Sequence, residues 1–138
     1  MGVKAVAQED PMGCGIACVA FICGVPYKSG KCLFNRHDGT KPDCFCPDIV
    51  DALQKSGRAY NWSRIRGKRI HFIDGSIVFI RRSRTFPAGH FLVRWKGKWM
   101  DPWLNLDATC PDLSRAKAGF RKRLPGKASY YIFPIKPD

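Results

Sequence analysis

The longest unbroken apolar stretch of the chain, Ile16-Ala17-Cys18-Val19-Ala20-Phe21-Ile22-Cys23, has no polar position in it, and Gly24 and Pro26 follow as stop signals. A run of this kind predicts a short helix buried on all sides. A second helix is predicted from Pro47 to Gly57, with proline at an early position, Asp48 near the start, Lys55 near the end and Gly57 beyond it. Its buried stripe is Ile49, Val50 and Leu53. Elsewhere the apolar positions come in short strand-like pieces. One lies around Tyr60 to Trp62, and Ile70 to Ile73 and Ile77 to Arg82 read as a hairpin about Asp74-Gly75. His90 to Trp95 and Lys98 to Trp103 flank Lys96-Gly97 as a further hairpin. Ser129 to Ile135, aromatic and β-branched, predicts a last strand, central in its sheet until Pro134. Two stretches lack periodicity. Gly24 to Pro47 reads as a long polar loop, and Leu104 to Lys127 contains a Pro111-Asp112-Leu113 start followed by a short basic helix over Arg115 to Arg123. The expected fold class is therefore α+β, with helices first and a mostly antiparallel sheet after them.

At 138 residues the chain is expected to form one domain, residues 1–138, large enough to bury a core. A hydrophobic content of 45% with 12% aromatics argues against disorder. The longest apolar run is far shorter than a membrane span, and the start lacks a charged segment leading into an apolar secretory core. The expectation is a soluble, unprocessed protein, cytoplasmic as synthesised.

Seven cysteines, an odd set with no secretory signal, predict reduced thiols rather than a disulfide framework. Cys18 and Cys23 fall in the apolar helix and are expected to be core residues. Cys32, His37, Cys44 and Cys46 are zinc-ligand types gathered in one loop. Their spacing matches no standard zinc site, so free thiols or one local disulfide is the expected state, and no cofactor is called for.

Chemistry is concentrated in two places. Cys14 stands between Gly13 and Gly15 at the start of the apolar helix, where unpaired N–H groups and the helix dipole favour thiolate over thiol. Gln8, six residues upstream, carries an amide able to donate to a developing oxyanion beside the Cys14 N–H. In the Lys96-Gly97 hairpin, a two-residue turn places residues whose numbers sum to 193 opposite each other. His90 then faces Trp103 and Asp101 faces Leu92, so His90 and Asp101 share a face as diagonal neighbours, roughly 7–8 Å apart at the backbone. Pro87-Ala88-Gly89 just before His90 leaves open backbone beside the imidazole.

Gln8 six before Cys14, the run Cys14-Gly15-Ile16-Ala17-Cys18, Gly89-His90-Phe91-Leu92-Val93 and Asp101-Pro102 together resemble the papain-like bacteriocin-processing peptidases, which remove double-glycine leader peptides. The resemblance spans about Val6 to Trp103. It implies a papain-like fold in which a helix carrying the cysteine packs on a sheet carrying histidine and aspartate. It also implies Cys14 as nucleophile, His90 as general base and acid, Asp101 as the orienting carboxylate, and Gln8 in the oxyanion hole. The chain departs from that family at Gly13, where the peptidases often have aspartate, and in the cysteine-rich Lys28–Pro47 segment.

Such a site would cleave a peptide bond through a thioester. The same attack on a side-chain amide would make a glutamine deamidase, as an effector or toxin delivered to another cell. The net charge of +13 supports a third reading, a non-catalytic basic module binding protein or nucleic acid. The charge is carried in clusters at Arg64 to Arg69, Arg81 to Arg84 and Arg115 to Lys127, and would attract acidic peptides, nucleic acid or anionic membrane. Trp95, Trp99 and Trp103 are either core or cleft rim, and core is expected for at least two.

Overall fold

The computed structural model describes residues 4–34 and 45–135. The apolar run becomes α1 (Cys14–Cys23), in which every residue from Gly15 to Ile22 is buried. A helix apolar on all sides must be covered on all sides. Here α1 lies against α2 (Tyr27–Lys31), α3 (Cys46–Lys55) and the sheet. α2 falls within the segment read from sequence as loop. Five residues with two lysines have too little periodicity to announce a helix, and tertiary packing supplies the stability. The carbonyl of Pro26 accepts from the N–H groups of Ser29 and Gly30 at 3.0 and 3.1 Å, and Tyr27 is buried. α3 matches its sequence signature, with the Asp48 carboxylate accepting the Phe45 N–H at 3.0 Å at its start. Ile49, Ala52 and Leu53 form its fully buried stripe, each large aliphatic side chain contributing about 1.5–3 kcal/mol.

Among the described residues six strands form one antiparallel sheet in the order β1-β6-β2-β3-β4-β5, comprising β1 (Tyr60–Arg64), β2 (Ile77–Ile80), β3 (His90–Trp95), β4 (Lys98–Asp101), β5 (Gly119–Arg121) and β6 (Ala128–Pro134). The fold is α+β, as the sequence predicts. The β3–β4 hairpin has the predicted register, with Val93 opposite Met100, Arg94 opposite Trp99 and Trp95 opposite Lys98. Its turn residues Lys96 and Gly97 have φ of 48° and 75°, the paired positive values of a tight two-residue hairpin turn.

Both faces of the sheet are covered, which is why its centre reads as nearly continuous hydrophobics. Ile77, Phe91, Val93 and Met100 join α1 and α3 in the main core, while Val78, Ile80, Leu92 and Trp99 form a second cluster with Phe86. β6 lies between β1 and β2 and contributes the buried Ile132.

Two sequence expectations fail here. Ile70 to Ile73 is not a strand, because both edges of β2 are already taken by β3 and β6. Asp74-Gly75 instead braces the neighbouring hairpin: the Gly75 N–H donates to the Arg94 carbonyl at 2.9 Å, and the Asp74 carboxylate accepts the Lys96 N–H at 2.8 Å. Arg115 to Arg123 is not a helix. A 3₁₀ turn over Leu113–Arg115 leads into it, and it then forms β5, the strand that extends the sheet beyond β4. The free edge of β4 could be satisfied by this segment, and that ladder outweighs any local helical preference.

Candidate active site

Cys14 is the first residue of α1, half-buried and a free thiol. The first helical hydrogen bond runs from the Ala17 N–H to the Gly13 carbonyl at 2.9 Å, and no side chain caps the helix. The N–H groups of Cys14, Gly15 and Ile16 therefore have no partner within the helix, and the positive end of the α1 dipole lies at the sulfur.

The loop that delivers Cys14 is held from several sides. The Gln8 backbone N–H donates to the Pro102 carbonyl at 3.2 Å, joining this loop to the residue after Asp101. Gln8 is buried, and its Nε2 donates to the carbonyls of Asp10 and Pro11 at 3.1 and 3.2 Å. Two carbonyl acceptors fix which end of the amide is nitrogen, because the reverse orientation would set oxygen against oxygen. The Asp10 carboxylate accepts from the Tyr27 hydroxyl at 2.7 Å and pairs with Lys31 Nζ at 3.0 Å. Burial, together with the hydrogen bond and charge of Asp10, pushes the tyrosine pKa up, so the hydroxyl stays a donor. A side chain at position 13 would collide with that hydroxyl. The glycine where the resembling peptidases often carry aspartate thus has a steric cause in this chain.

His90 opens β3 and Asp101 closes β4, and both are buried. His90 Nε2 donates to Asp101 Oδ1 at 2.6 Å. The same oxygen accepts the Trp103 N–H at 2.9 Å, and Oδ2 accepts Arg121 Nε at 2.6 Å. Phe86 stacks on the imidazole, with centroids 4.6 Å apart and planes 13° from parallel. With Nε2 committed to the carboxylate, Nδ1 is the nitrogen left for proton exchange.

Burial of the imidazole pulls its pKa down. The Asp101 hydrogen bond, the hydrogen bond and charge of Cys14, and the Asp101 charge push it up more strongly, to about 9. Burial pushes the Asp101 carboxyl up, but His90, the Trp103 N–H and Arg121 outweigh it and hold its pKa below the ordinary carboxylate value.

Gly89 is the hinge into this site. Its φ of 77° is in the left-handed region, and any side chain there would run into Phe79 and the Ile80 carbonyl. Only glycine suits that position.

A cavity of about 270 Å³ opens beside Cys14 and His90, with Gln8 and Gly89 also in its lining. Its walls are largely apolar, including Phe79, Phe86, Phe91 and Trp103, and Arg82 lies on its rim. Trp103 is accordingly both buried and part of the cleft wall, Trp99 is core, and Trp95 is half-buried.

All four residues expected from sequence at the site stand together around this cleft. Cys14, Gln8 and His90 line it, and Asp101 lies behind His90. Gln8 is there with both amide hydrogens already given to main-chain carbonyls, so the uncapped N–H groups of α1 are the readiest oxyanion donors.

Sequence reasoning missed Arg121. Nothing along the chain distinguishes it from the other 23 basic residues among 24 Lys and Arg. Its only signal is that a buried carboxylate bound to histidine calls for a cation. Of the weak zinc set, Cys32 is exposed at the end of α2 and Cys46 is buried at the start of α3, its thiol pushed up to about 11 by burial. His37 and Cys44 lie outside the described residues. Among the described residues no group of three or more His, Cys, Asp or Glu could hold a metal ion, and no helix is long and apolar enough to cross a membrane. Compared with known protein families, curated proteins and solved structures, the chain has no match.

Proposed function

We propose that the protein is a papain-like cysteine hydrolase that cleaves a peptide bond, in the manner of the leader-removing peptidases that its motifs resemble. The observation that carries this reading is one imidazole set beside a thiol: His90 gives Nε2–H to a buried, charge-braced Asp101 and lines the same cleft as Cys14, which stands at an uncapped helix start. Few structural roles call for such an arrangement at the mouth of a cleft.

In the reaction, the Cys14 thiol proton passes to His90 Nδ1 and the thiolate attacks the carbonyl carbon. The C=O electron pair moves onto oxygen, and the oxyanion is met by the free N–H groups of α1. Collapse of the intermediate breaks the C–N bond, and His90 hands its proton to the departing amine. Water then attacks the thioester and gives a proton back to His90. The C–S bond breaks, the acid product leaves, and thiolate and imidazolium are restored. Asp101 keeps the ring in the tautomer and orientation that both transfers need.

The test is iodoacetamide labelling of the native protein with peptide mapping, run beside turnover of a peptide library read by mass. Cys14 is expected to be alkylated ahead of the exposed Cys32 and Cys110, to lose that lead in His90→Ala, and to be required for appearance of cleaved peptides. Mass also separates a cleaved peptide from a deamidated one. Equal labelling of Cys14, Cys32 and Cys110 together with no Cys14-dependent product would sink the reading.

A further inference from the structure

The cleft beside Cys14 carries one cation that the chemistry above does not use. Arg82 follows shortly after β2, is exposed, and lines the cavity together with Phe79, Phe86 and Trp103. Among the described residues it makes no ion pair or hydrogen bond. Two carboxylates of the site are already compensated. Asp10 is held by Tyr27 and Lys31, and Asp101 is enclosed by His90, Arg121 and the Trp103 N–H. Arg81 and Arg84, also exposed, add charge of the same sign.

A guanidinium against apolar walls loses hydration when an occupant fills the cleft. That loss is offset only if the occupant brings an anionic acceptor, best a planar carboxylate that matches the arginine fork. A second observation narrows the class of occupant. Gln8 also lines the cleft, and its Oε1 is buried with no hydrogen-bond partner. An unpaired buried acceptor calls for an N–H or O–H donor. A peptide main chain supplies N–H groups at regular intervals, whereas a phosphodiester backbone supplies none. The aromatic walls, with the largely exposed Phe45 at the mouth, suit a large apolar side chain.

We infer that the substrate is an acidic peptide, whose aspartate or glutamate is received by Arg82 beside an apolar side chain seated on the Phe79–Phe86–Trp103 wall. Arg82 is then a specificity residue, outside the bond-breaking set. The inference deepens the hydrolase reading as to substrate, but the binding it describes needs no turnover.

The experiment therefore has two arms. Binding of labelled peptides that differ only as Glu, Gln or Lys at one position is measured on Cys14→Ala, and turnover of the same peptides on the unaltered protein, each with and without Arg82→Ala or Arg82→Glu. The glutamate peptide is expected to bind about tenfold tighter than its glutamine twin, a typical gain for a charge-assisted pair at a partly dry site. Arg82→Ala should close that gap, and Arg82→Glu should invert it in favour of lysine, with the turnover effect appearing in KM. Arg84→Glu, which alters net charge as much but lies off the cleft lining, should leave the preference in place.

A preference for acidic peptides that survives Arg82→Glu overturns the inference while leaving the hydrolase intact. Arg82-dependent binding with no turnover of any peptide by the unaltered protein has the opposite meaning: the hydrolase reading fails and the inference stands. An oligonucleotide that occupies the cleft equally well in Arg82→Ala, with no preference among the peptides, would make this a general polyanion surface and end the proposal.

Discussion

The two halves of the candidate site are built on different principles. The cysteine half is local: a polar loop from Gln8 to Gly13 delivers Cys14 to the open start of α1, and what acts on the sulfur is uncapped backbone within one turn. The histidine half is assembled from three strands, with His90 on β3, Asp101 on β4 and Arg121 on β5, all paired through buried charge. One half is half-open and electrostatically unfinished, and the other is buried and saturated. The contrast suits the proposed roles. A nucleophile needs access and an unsatisfied field, whereas an orienting carboxylate is useful only if its geometry is fixed before substrate arrives.

Substitutions should separate the halves. The largest effect is expected on activity: Cys14→Ala should abolish peptide turnover, by at least about a thousandfold, with little change in the urea midpoint, because the thiol is only half-buried at the margin of the core and its loss removes a single atom there. A drop in stability as large as that seen for buried core residues would mean that Cys14 is structural.

In the saturated half, stability should fall with activity. Asp101→Ala leaves His90 and Arg121 facing an emptied pocket, and about 3–5 kcal/mol should be lost in chemical denaturation. An Asp101→Ala protein as stable as the parent would show that the three-strand network contributes nothing.

The loop that joins the halves should respond on an intermediate scale. Gly13→Ala forces a methyl group against the Tyr27 hydroxyl and should cost about 1–3 kcal/mol. In a Tyr27→Phe background the cost should shrink, because the colliding atom is gone, and a double-mutant cycle measures that coupling. Simple additivity would place the strain elsewhere.

The smallest effects are those of pH, and their signs follow from the shifts. His90 is raised from an ordinary 6.5 to about 9. Its contribution to stability is therefore complete below about pH 6.5 and is lost as pH rises through about 9. Asp101 is lowered from 3.8, so its contribution is complete above that value and is lost as pH falls through the lowered one. Both are present between about pH 4 and 6.5. Urea midpoints should hold through this window and fall on either side of it, and activity should have an alkaline limb near the His90 value. Asp101→Asn removes the carboxylate charge that raises His90 and leaves only a weaker amide acceptor for its Nε2–H, so that limb should move toward neutral pH. A limb that stays in place would remove the carboxylate from the histidine's electrostatics.

Much of the histidine half was legible from turn chemistry. Lys96-Gly97 between two apolar runs specifies a two-residue turn, and its parity determines that His90 and Asp101 share a face. α1 was legible because a fully apolar run ended by glycine has few alternatives to a buried helix. Arg121 was not legible, nor was β5. A three-residue strand with half-buried positions has no period of its own, and its place is chosen by the open edge of β4. α2 was hidden in the same way, since Tyr27 is ordered by what it touches. Ile70–Ile73 does not become a strand for the converse reason: its local pattern is acceptable, but both edges of β2 are taken.

By itself, then, the sequence determined the parts whose reasons lie within a few residues: the helix start at Cys14, the turn at Lys96-Gly97 and the shared face of His90 and Asp101. Only the tertiary structure decided which of many arginines braces Asp101, why position 13 admits no side chain, and that Gln8 spends its amide hydrogens on its own loop. Those outcomes depend on close approach between segments far apart in the chain, where sterics and the pairing of buried charge choose among residues that look alike in sequence.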